Sequence, residues 1–175
     1  MNAAVTISPA QPEHAEALAS LLDELDRFYG ATEIEPTGQR IRRVREALFS
    51  DPPAAYALLA WDKERLIGFA SYSYLWPAAG STRSLYLKEL YVSEDHRSAG
   101  VGRLFMDELC RVAVEHDCSR VEWTTDDDNP GAKQFYQALG YAPDPSKIFY
   151  RLAGDHLLPP ASADASRLPG APATT

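Results

Sequence analysis

The sequence predicts an α/β fold with a mixed, partly antiparallel central sheet and helices on both of its faces. Three observations carry this prediction. Amphipathic helical periods alternate with short β-rich runs, two of these runs flank a tight polar turn, and a strand, helix and strand unit follows late in the chain. With 175 residues, 45% of them hydrophobic, the chain is long enough to form one domain with a sizeable core.

The first half of the chain contains one strand, two helices and a hairpin. The first helix has apolar residues at three- and four-residue spacings, and the second stops at Asp51-Pro52-Pro53, because proline cannot continue a helix. The polar turn Asp62–Arg65 separates two strands, as is typical of a hairpin. The predicted elements are strand Val5–Ile7, helices Pro12–Tyr29 and Gln39–Phe49, and strands Tyr56–Trp61 and Leu66–Leu75.

The second half contains the clearest helix, which follows a long β-rich segment. Its predicted elements are strand Ser84–Val92, helix Gly100–Asp117, strand Val121–Thr125, helix Pro130–Leu139, and final strand material at Tyr141 and Ile148–Leu152. The element order is therefore β-α-α-β-β-β-α-β-α-β. We expect residues 1–153 to form the domain, and residues 154–175, rich in Ala and Pro, to be a flexible tail.

Charge and composition exclude several classes of function. The formal net charge is −8, which disfavours binding to nucleic acid through bulk charge. The two cysteines, Cys110 and Cys118, are too few for a disulfide framework and lack the spacing of a metal site. We see no apolar run of about 18 residues and no signal peptide, so a cytoplasmic protein without membrane contact is expected.

The segment Arg97–Arg103 lies between a predicted strand and the clearest helix. The first N–H groups of a helix lack intrahelical partners and attract anions. Gly100 and Gly102 remove side chains where a pyrophosphate would approach the backbone, and Arg97 and Arg103 add cationic donors. On the glycines alone, an ordinary glycine-containing helix entry with two solvated arginines is an equally open interpretation.

This segment matches the R/Q-x-x-G-x-G/A signature of the GNAT N-acetyltransferase superfamily, and Asn129–Tyr141 resembles that family's N-x-x-A-x-x-x-Y-x-x-x-G-[FY] motif. The resemblance, which covers Val5–Leu152, implies acetyl-CoA as co-substrate, without a metal. It implies pantetheine contacts at the strand end, pyrophosphate contacts in the loop, and a role for Asn129 in binding pantetheine or separating two strands. The implied cofactor residues are Leu90, Tyr91, Val92, Arg97, Ser98, Ala99, Gly100, Val101, Gly102, Arg103, Asn129, Gly131 and Tyr136.

Two residues are candidates for catalysis. By the resemblance, Tyr136 stands near the thioester sulfur as general acid, while a backbone N–H near Val92 meets the oxyanion; the alternative is that Tyr136 is a core aromatic. Glu89 is singled out by the sequence itself, because a carboxylate in an apolar β-run is costly unless exposed, paired or functional. We interpret Glu89 as the base that deprotonates the amine, with an ion pair on a neighbouring strand as the alternative.

The acceptor is less well defined. Leu85–Val92 and Leu22–Tyr29 look like the spermidine/spermine (diamine) acetyltransferase branch, although Lys88 stands where that branch has an acidic residue. We therefore predict direct transfer to a primary amine of a small cationic metabolite, polyamine- or diamine-like. The candidate substrate-binding residues are Phe28, Tyr29, Trp76, Lys88 and Glu89.

Several alternatives stay open. Lys88 could bind a substrate carboxylate, which would favour an amino-acid acceptor, and an aminoglycoside or a protein amine would fit the same fold. A non-catalytic acyl-CoA-binding module is the alternative from another class. The acidic run Asp126–Asp128 could attract a polycation or be a solvated loop. A homodimer is expected only by analogy with the superfamily.

Overall fold

The computed structural model describes residues 5–157 and confirms the predicted fold class. Four helices and five strands are present in this part of the chain. In order they are β1 Thr6–Pro9, α1 Ala15–Phe28, α2 Thr37–Phe49, β2 Tyr56–Asp62, β3 Arg65–Leu75, β4 Arg83–Val92, α3 Val101–Glu115, β5 Cys118–Trp123 and α4 Pro130–Ala138. None of these helices is long and apolar enough to cross a membrane.

The five strands form one sheet in the order β1-β2-β3-β4-β5. The first four strands pair antiparallel, and the predicted hairpin is the β2–β3 pair. β5 pairs parallel to β4, because α3 returns the chain to the start of the sheet between them. The strand, helix and strand unit predicted late in the chain is therefore confirmed.

Helices cover both faces of the sheet, as the sequence predicts. Adjacent residues of a strand point to opposite faces, and Leu58 and Leu59 of β2 are both 0% exposed. Leu58 belongs to the core beneath α3, which includes Phe105 and Leu109. Leu59 belongs to the core beneath α1 and α2, together with Leu18. Burial on both faces explains why β2 is apolar almost throughout.

The predicted final strand is wrong. Neither Tyr141 nor Ile148–Leu152 belongs to a strand, and Ile148, Phe149 and Tyr150 are exposed. β-Branched and aromatic residues favour a strand only where a neighbouring strand is available to pair with them, and here Pro143 and Pro145 interrupt the path back to the sheet.

The remaining predicted boundaries agree with the structure within three residues. β5 shifts most, because its pairing with β4 begins at Cys118. Of the predicted tail, Gly154–Leu157 forms a short 3-10 turn, and the rest lies outside the described residues.

Two irregularities in β4 shape the end of the sheet. Ser71 of β3 lies opposite Glu89, whereas Tyr72 lies opposite Leu87, so Lys88 is the extra residue of a β-bulge. β5 follows β4 only as far as the pair Leu87–Trp123. Beyond that pair the two strands separate, and within residues 5–157 the last part of β4 is paired with β3 alone. The gap between β4 and β5 opens the cavity described below.

Candidate active site

A cavity of about 290 Å³ lies where β4 and β5 separate. The end of α1, the bulged part of β4, the end of β5, the loop after it and the first turn of α4 all contribute to its wall. The lining residues are Tyr29, Leu87, Lys88, Glu89, Leu90, Trp123, Thr124, Thr125, Asp126, Asn129, Ala132, Tyr136 and Arg151. Glu89 and Tyr136, the two catalytic candidates, therefore lie in one cavity although 46 residues of chain separate them in the sequence.

Glu89 is half-buried on β4, and its hydrogen-bond partner comes from a helix. The Tyr29 hydroxyl, just beyond the end of α1, donates to Glu89 Oε1 at 3.2 Å. The partner is therefore a phenol, and not a lysine or arginine of a neighbouring strand. Burial raises the pKa of Glu89, although the Tyr29 hydrogen bond and the charge of Lys88 oppose that rise. A carboxylate with a raised pKa is a stronger base at neutral pH.

Tyr136 both packs against aromatic residues and lines the cavity. Its ring packs against Trp123 at 5.0 Å and against Phe135 at 4.9 Å between ring centroids. Its side chain also lines the cavity. Burial, and then the charge of Glu89, raise the pKa of Tyr136 to about 12. The phenol therefore stays in its hydrogen-bond-donating form at neutral pH.

The backbone of β4 presents polar groups to the gap. Ser93 N–H donates to the carbonyl oxygen of Ile67 on β3 at 2.9 Å. Because backbone groups alternate in direction along an antiparallel strand, Tyr91 also faces β3, whereas Leu90 and Val92 face the gap. Of the predicted trio, Tyr91 thus cannot offer its backbone to a ligand there, and its side chain packs in the core beneath α1. Leu90 lines the cavity.

The loop before α3 has the geometry of an anion site. Ser98 has φ 60° and Gly100, the N-cap residue, has φ 83°, a left-handed conformation that favours glycine. α3 follows with 15 residues, so its first N–H groups point toward the loop. This loop contains Ser98 and Ala99, and α3 begins with Val101, Gly102 and Arg103, all predicted cofactor residues.

Gly102 lies where α3 packs against α4. A Cβ on Gly102 would lie 2.8 Å from the ring of Phe135 on α4. Its missing side chain therefore allows α3 and α4 to pack closely, while its place beside a pyrophosphate stays a prediction. Phe135 belongs to the second motif, so this contact joins the two motifs that the sequence analysis identified separately.

Asn129 and Gly131 lie at the start of α4. Asn129 is the N-cap residue, and its Oδ1 accepts a hydrogen bond from the N–H of Ala132 at 3.0 Å. Asn129 also lines the cavity. Its predicted role in binding pantetheine is thus accompanied by a structural one. Gly131 is in the first helical turn, where a Cβ would lie 3.7 Å from the same Oδ1.

Trp76, Phe28 and Arg97 are among the predicted residues that do not line the cavity. Trp76 is 71% exposed, and its Nε1 donates to the carbonyl oxygen of Ser81. Phe28 packs against Tyr91 and under the guanidinium of Arg97. Arg97 itself donates from Nε to the carbonyl oxygen of Val92 at 2.9 Å. Neither Phe28 nor Trp76 lines this cavity, and their contact with the acceptor stays a prediction.

Sequence reasoning missed two charged residues of the wall. Arg151 was assigned to a final strand that does not form, and no pattern in the sequence links it to the cavity. Asp126 was noted only as part of an acidic run. Asp126 comes directly after a strand, at the sheet end where ligands bind in α/β folds. This position is the signal that could have identified it. The neighbouring Asp127 instead pairs with Lys133.

Comparison with known proteins identifies a family for this chain. A family model described as "Acetyltransferase (GNAT) family" matches residues 18–141. This match spans α1 to α4, including the loop before α3 and the helix with Tyr136.

Two curated relatives and one solved structure are similar over most of the chain. A D-amino-acid N-acetyltransferase of Saccharomyces cerevisiae is 29% identical over 157 residues, covering 88% of this chain and 94% of the relative. A thialysine N-epsilon-acetyltransferase of Caenorhabditis elegans is 25% identical, covering 74% and 78% respectively. The structure of an integron cassette protein from the mobile metagenome of V. cholerae is 29% identical, with a TM-score of 0.81, covering 90% and 96%.

Proposed function

Because this chain belongs to the acetyltransferase (GNAT) family and is an acetyl-CoA-dependent N-acetyltransferase, we propose that it acetylates a primary amine of a small amino acid. The observation that carries this proposal is the charge pattern of the cavity. Glu89 and Asp126 are acidic, whereas Lys88 and Arg151 are basic, and all four line the same space. An acceptor with one ammonium and one carboxylate group matches this wall, because the acidic pair attracts the ammonium and the basic pair attracts the carboxylate.

A polycation matches this wall less well. Lys88 and Arg151 would repel a second ammonium group in a space of about 290 Å³. For an amino acid, the same two residues provide charge-assisted hydrogen bonds to the carboxylate. The two relatives described above are both named for amino-acid acceptors, which supports the same class.

The binding of acetyl-CoA is proposed at the gap and the loop. The outward backbone groups of Leu90 and Val92 can hydrogen-bond an extended pantetheine arm as a neighbouring strand would. The loop at Ser98–Gly100 and the first N–H groups of α3 face the pyrophosphate, with Arg103 as a cationic donor. When bound, acetyl-CoA supplies the thioester that the amine attacks.

Glu89 accepts the proton of the incoming ammonium. An amine with a pKa of about 10.4 requires about 4–5 kcal/mol to be neutral at pH 7. The raised pKa of Glu89 brings this carboxylate closer to the working pH than an ordinary glutamate, which makes it a better acceptor. Tyr29 holds the carboxylate in place through its hydroxyl.

Leu90 and Tyr136 stabilise the charge that develops during transfer. As the nitrogen attacks the thioester carbon, the C–N bond forms and negative charge builds on the carbonyl oxygen. The N–H of Leu90, which faces the gap and also contacts the Glu89 carboxylate, is released to donate to this oxygen once Glu89 has accepted the proton. This assignment specifies the predicted N–H near Val92 as that of Leu90, because Leu90 lines the cavity. The C–S bond then breaks, and the Tyr136 hydroxyl donates to the departing sulfur.

Transfer is direct in this proposal. In the described part of the chain neither Cys110 nor Cys118 lines the cavity, so the wall offers no thiol to carry the acetyl group. The amine must then bind while acetyl-CoA is present, which predicts sequential kinetics. Parallel lines in double-reciprocal plots, or a trapped acetyl-enzyme, would reject direct transfer.

A diamine or polyamine is the second candidate, as the sequence resemblance predicts. Asp126 and Glu89 favour it, because two carboxylates in one cavity suit an acceptor with two ammonium groups. The thialysine relative supports such a branch only weakly at 25% identity. The cytoplasmic location and the homodimer stay predictions.

The test compares acceptors that differ only in the carboxylate. Thiol release from acetyl-CoA is measured with lysine and with 1,5-diaminopentane. We expect kcat/KM to be about tenfold higher for lysine, a difference of about 1.4 kcal/mol. Lys88→Gln should lower this ratio, whereas Lys63→Gln, in the β2–β3 turn, should not. A preference for the diamine in the wild-type protein would overturn the amino-acid proposal in favour of the second candidate.

A further inference from the structure

The last turns of α1 hold the end of β4 through the carboxylate of Glu24. Glu24 Oε1 accepts a hydrogen bond from the Tyr91 hydroxyl at 2.9 Å, and its Oε2 accepts one from Ser93 Oγ at 3.3 Å. Tyr91 and Ser93 are both buried. Since they flank Val92, one carboxylate fixes the strand on both sides of this residue.

Arg97 makes a second connection at the same place. Its Nε donates to the carbonyl oxygen of Val92 at 2.9 Å. Its guanidinium carbon lies 4.5 Å from the ring centroid of Phe28 and 5.5 Å from that of Tyr91. Phe28 is one helical turn beyond Glu24, so both residues lie on the face of α1 that meets β4.

The carbonyl that Arg97 binds is one that faces the gap. β5 has already diverged at Trp123, so within residues 5–157 no strand accompanies Val92 on that side. A guanidinium presents donors in a rigid plane, and that plane also stacks on an aromatic ring. A lysine in its place has neither property. The contacts therefore depend on the shape of this side chain as well as on its charge.

We propose that Arg97 is a positioning residue, which ties the carbonyl of Val92 to Phe28 of α1 and thereby aligns the backbone of β4 with the reacting thioester. The N–H of Leu90 is two residues before Val92 on the same outward side of the strand. Movement of the strand end would displace this N–H from the oxygen that it must reach. The proposal rests on acetyl transfer at this cavity, but not on the identity of the acceptor.

This role differs from the one that the loop motif implies. A pyrophosphate ligand contributes to acetyl-CoA binding, so its loss raises KM or Kd for acetyl-CoA. A residue that aligns the strand lowers kcat, because its effect is felt where charge develops. The two roles also differ in what they predict for a shorter thioester, because S-acetylpantetheine has no pyrophosphate. Loss of a pyrophosphate ligand should not affect it, whereas loss of strand alignment should.

The test measures kcat and KM for acetyl-CoA and for S-acetylpantetheine in Arg97→Gln, Arg97→Lys and Phe28→Leu. We expect kcat to fall about tenfold in both Arg97→Gln and Arg97→Lys with either thioester. Lysine therefore should not rescue the loss. Phe28→Leu should lower kcat in the same direction. In a protein that already carries Arg97→Gln, Phe28→Leu should lower kcat by a much smaller factor than it does in the wild-type protein. Arg103→Gln is the comparison, and should lose more with acetyl-CoA than with the truncated thioester.

Three outcomes would overturn the proposal. One is a loss confined to acetyl-CoA, another is full rescue by lysine, and the third is additivity of the Phe28 and Arg97 changes. Thermal melting identifies any variant that fails to fold, and in that case Phe28→Leu and Arg97→Lys keep the comparison possible. If the wild-type protein acetylates only diamines, the proposed acceptor is wrong. Every one of these measurements can then still be made with a diamine as the acceptor.

Discussion

The hydroxyl of Tyr29 donates to Glu89 Oε1 at 3.2 Å and so joins the end of α1 to the bulged part of β4. This contact exists because Lys88 is the extra residue of the bulge. The bulge shifts the alternation of side chains, so that Leu87 packs beneath α3 while Tyr91 packs beneath α1. Glu89, two residues before Tyr91, then points toward α1 and meets Tyr29.

Tyr136→Phe should lower kcat by about 10- to 100-fold, because the variant cannot donate to the departing sulfur. The phenylalanine ring keeps the packing against Trp123, so the melting temperature and the affinity for acetyl-CoA should change little. Tyr141→Phe is the matched control, since Tyr141 also packs on Trp123 but does not line the cavity. Wild-type turnover in Tyr136→Phe would remove this residue from the mechanism.

The pH profile should report Glu89. Its raised pKa predicts that kcat/KM falls as the pH drops through a value above 4.5. In Glu89→Gln the rate should be lower by about 100-fold, and this acid limb should disappear. Tyr136, with a pKa of about 12, should cause no loss of rate below pH 10. An acid limb that persists in Glu89→Gln would assign the base to another group.

Glu89 should also lower stability at neutral pH. A raised pKa means that the folded protein disfavours the charged form of Glu89. Its contribution to the free energy of unfolding is therefore fully present below pH 4.5 and is lost as the pH rises through the raised pKa. Glu89→Gln keeps an acceptor for Tyr29 and removes the buried charge. Its melting temperature should exceed that of the wild-type protein at pH 7.5, and the difference should shrink toward pH 4. A lower melting temperature at pH 7.5 would contradict this account.

Gly102→Ala should destabilise the protein by about 1–3 kcal/mol, because its methyl group would overlap the ring of Phe135. Phe135→Leu should recover part of this loss when the two changes are combined. Gly38→Ala, in α2, is the control, because a Cβ there meets nothing within 4 Å. Urea denaturation gives the free energy of unfolding of the wild type, Gly102→Ala, its combination with Phe135→Leu, and Gly38→Ala. Equal stability of Gly102→Ala and the wild type would show that the helices readjust without cost.

Local signals in the sequence predicted most of the fold. Pro130 begins α4, Gly140 follows its end, and the polar turn at Asp62 marks the hairpin. The final strand could not be predicted reliably, because a β-prone run becomes a strand only when a neighbour pairs with it. The bulge at Lys88 was equally hidden, since nothing in Leu87–Leu90 distinguishes a bulged strand from a regular one.

The candidate site was predicted in part. Glu89 was identified by the cost of a charge in an apolar run, and Tyr136 by the family motif; both line the cavity. Contacts across the fold were not predictable. The packing of Gly102 against Phe135 and the bond from Arg97 to Val92 depend on how distant elements meet, which no local pattern encodes.

We propose that acetyl transfer takes place in the cavity between Glu89 and Tyr136. The most direct measurement is thiol release by the Glu89→Gln, Tyr136→Phe double variant, with acetyl-CoA affinity measured by calorimetry on the same sample. Turnover should fall by about 1,000-fold or more, while acetyl-CoA should bind within about threefold of the wild-type affinity. Turnover near the wild-type rate in a folded double variant would place the chemistry elsewhere in the molecule.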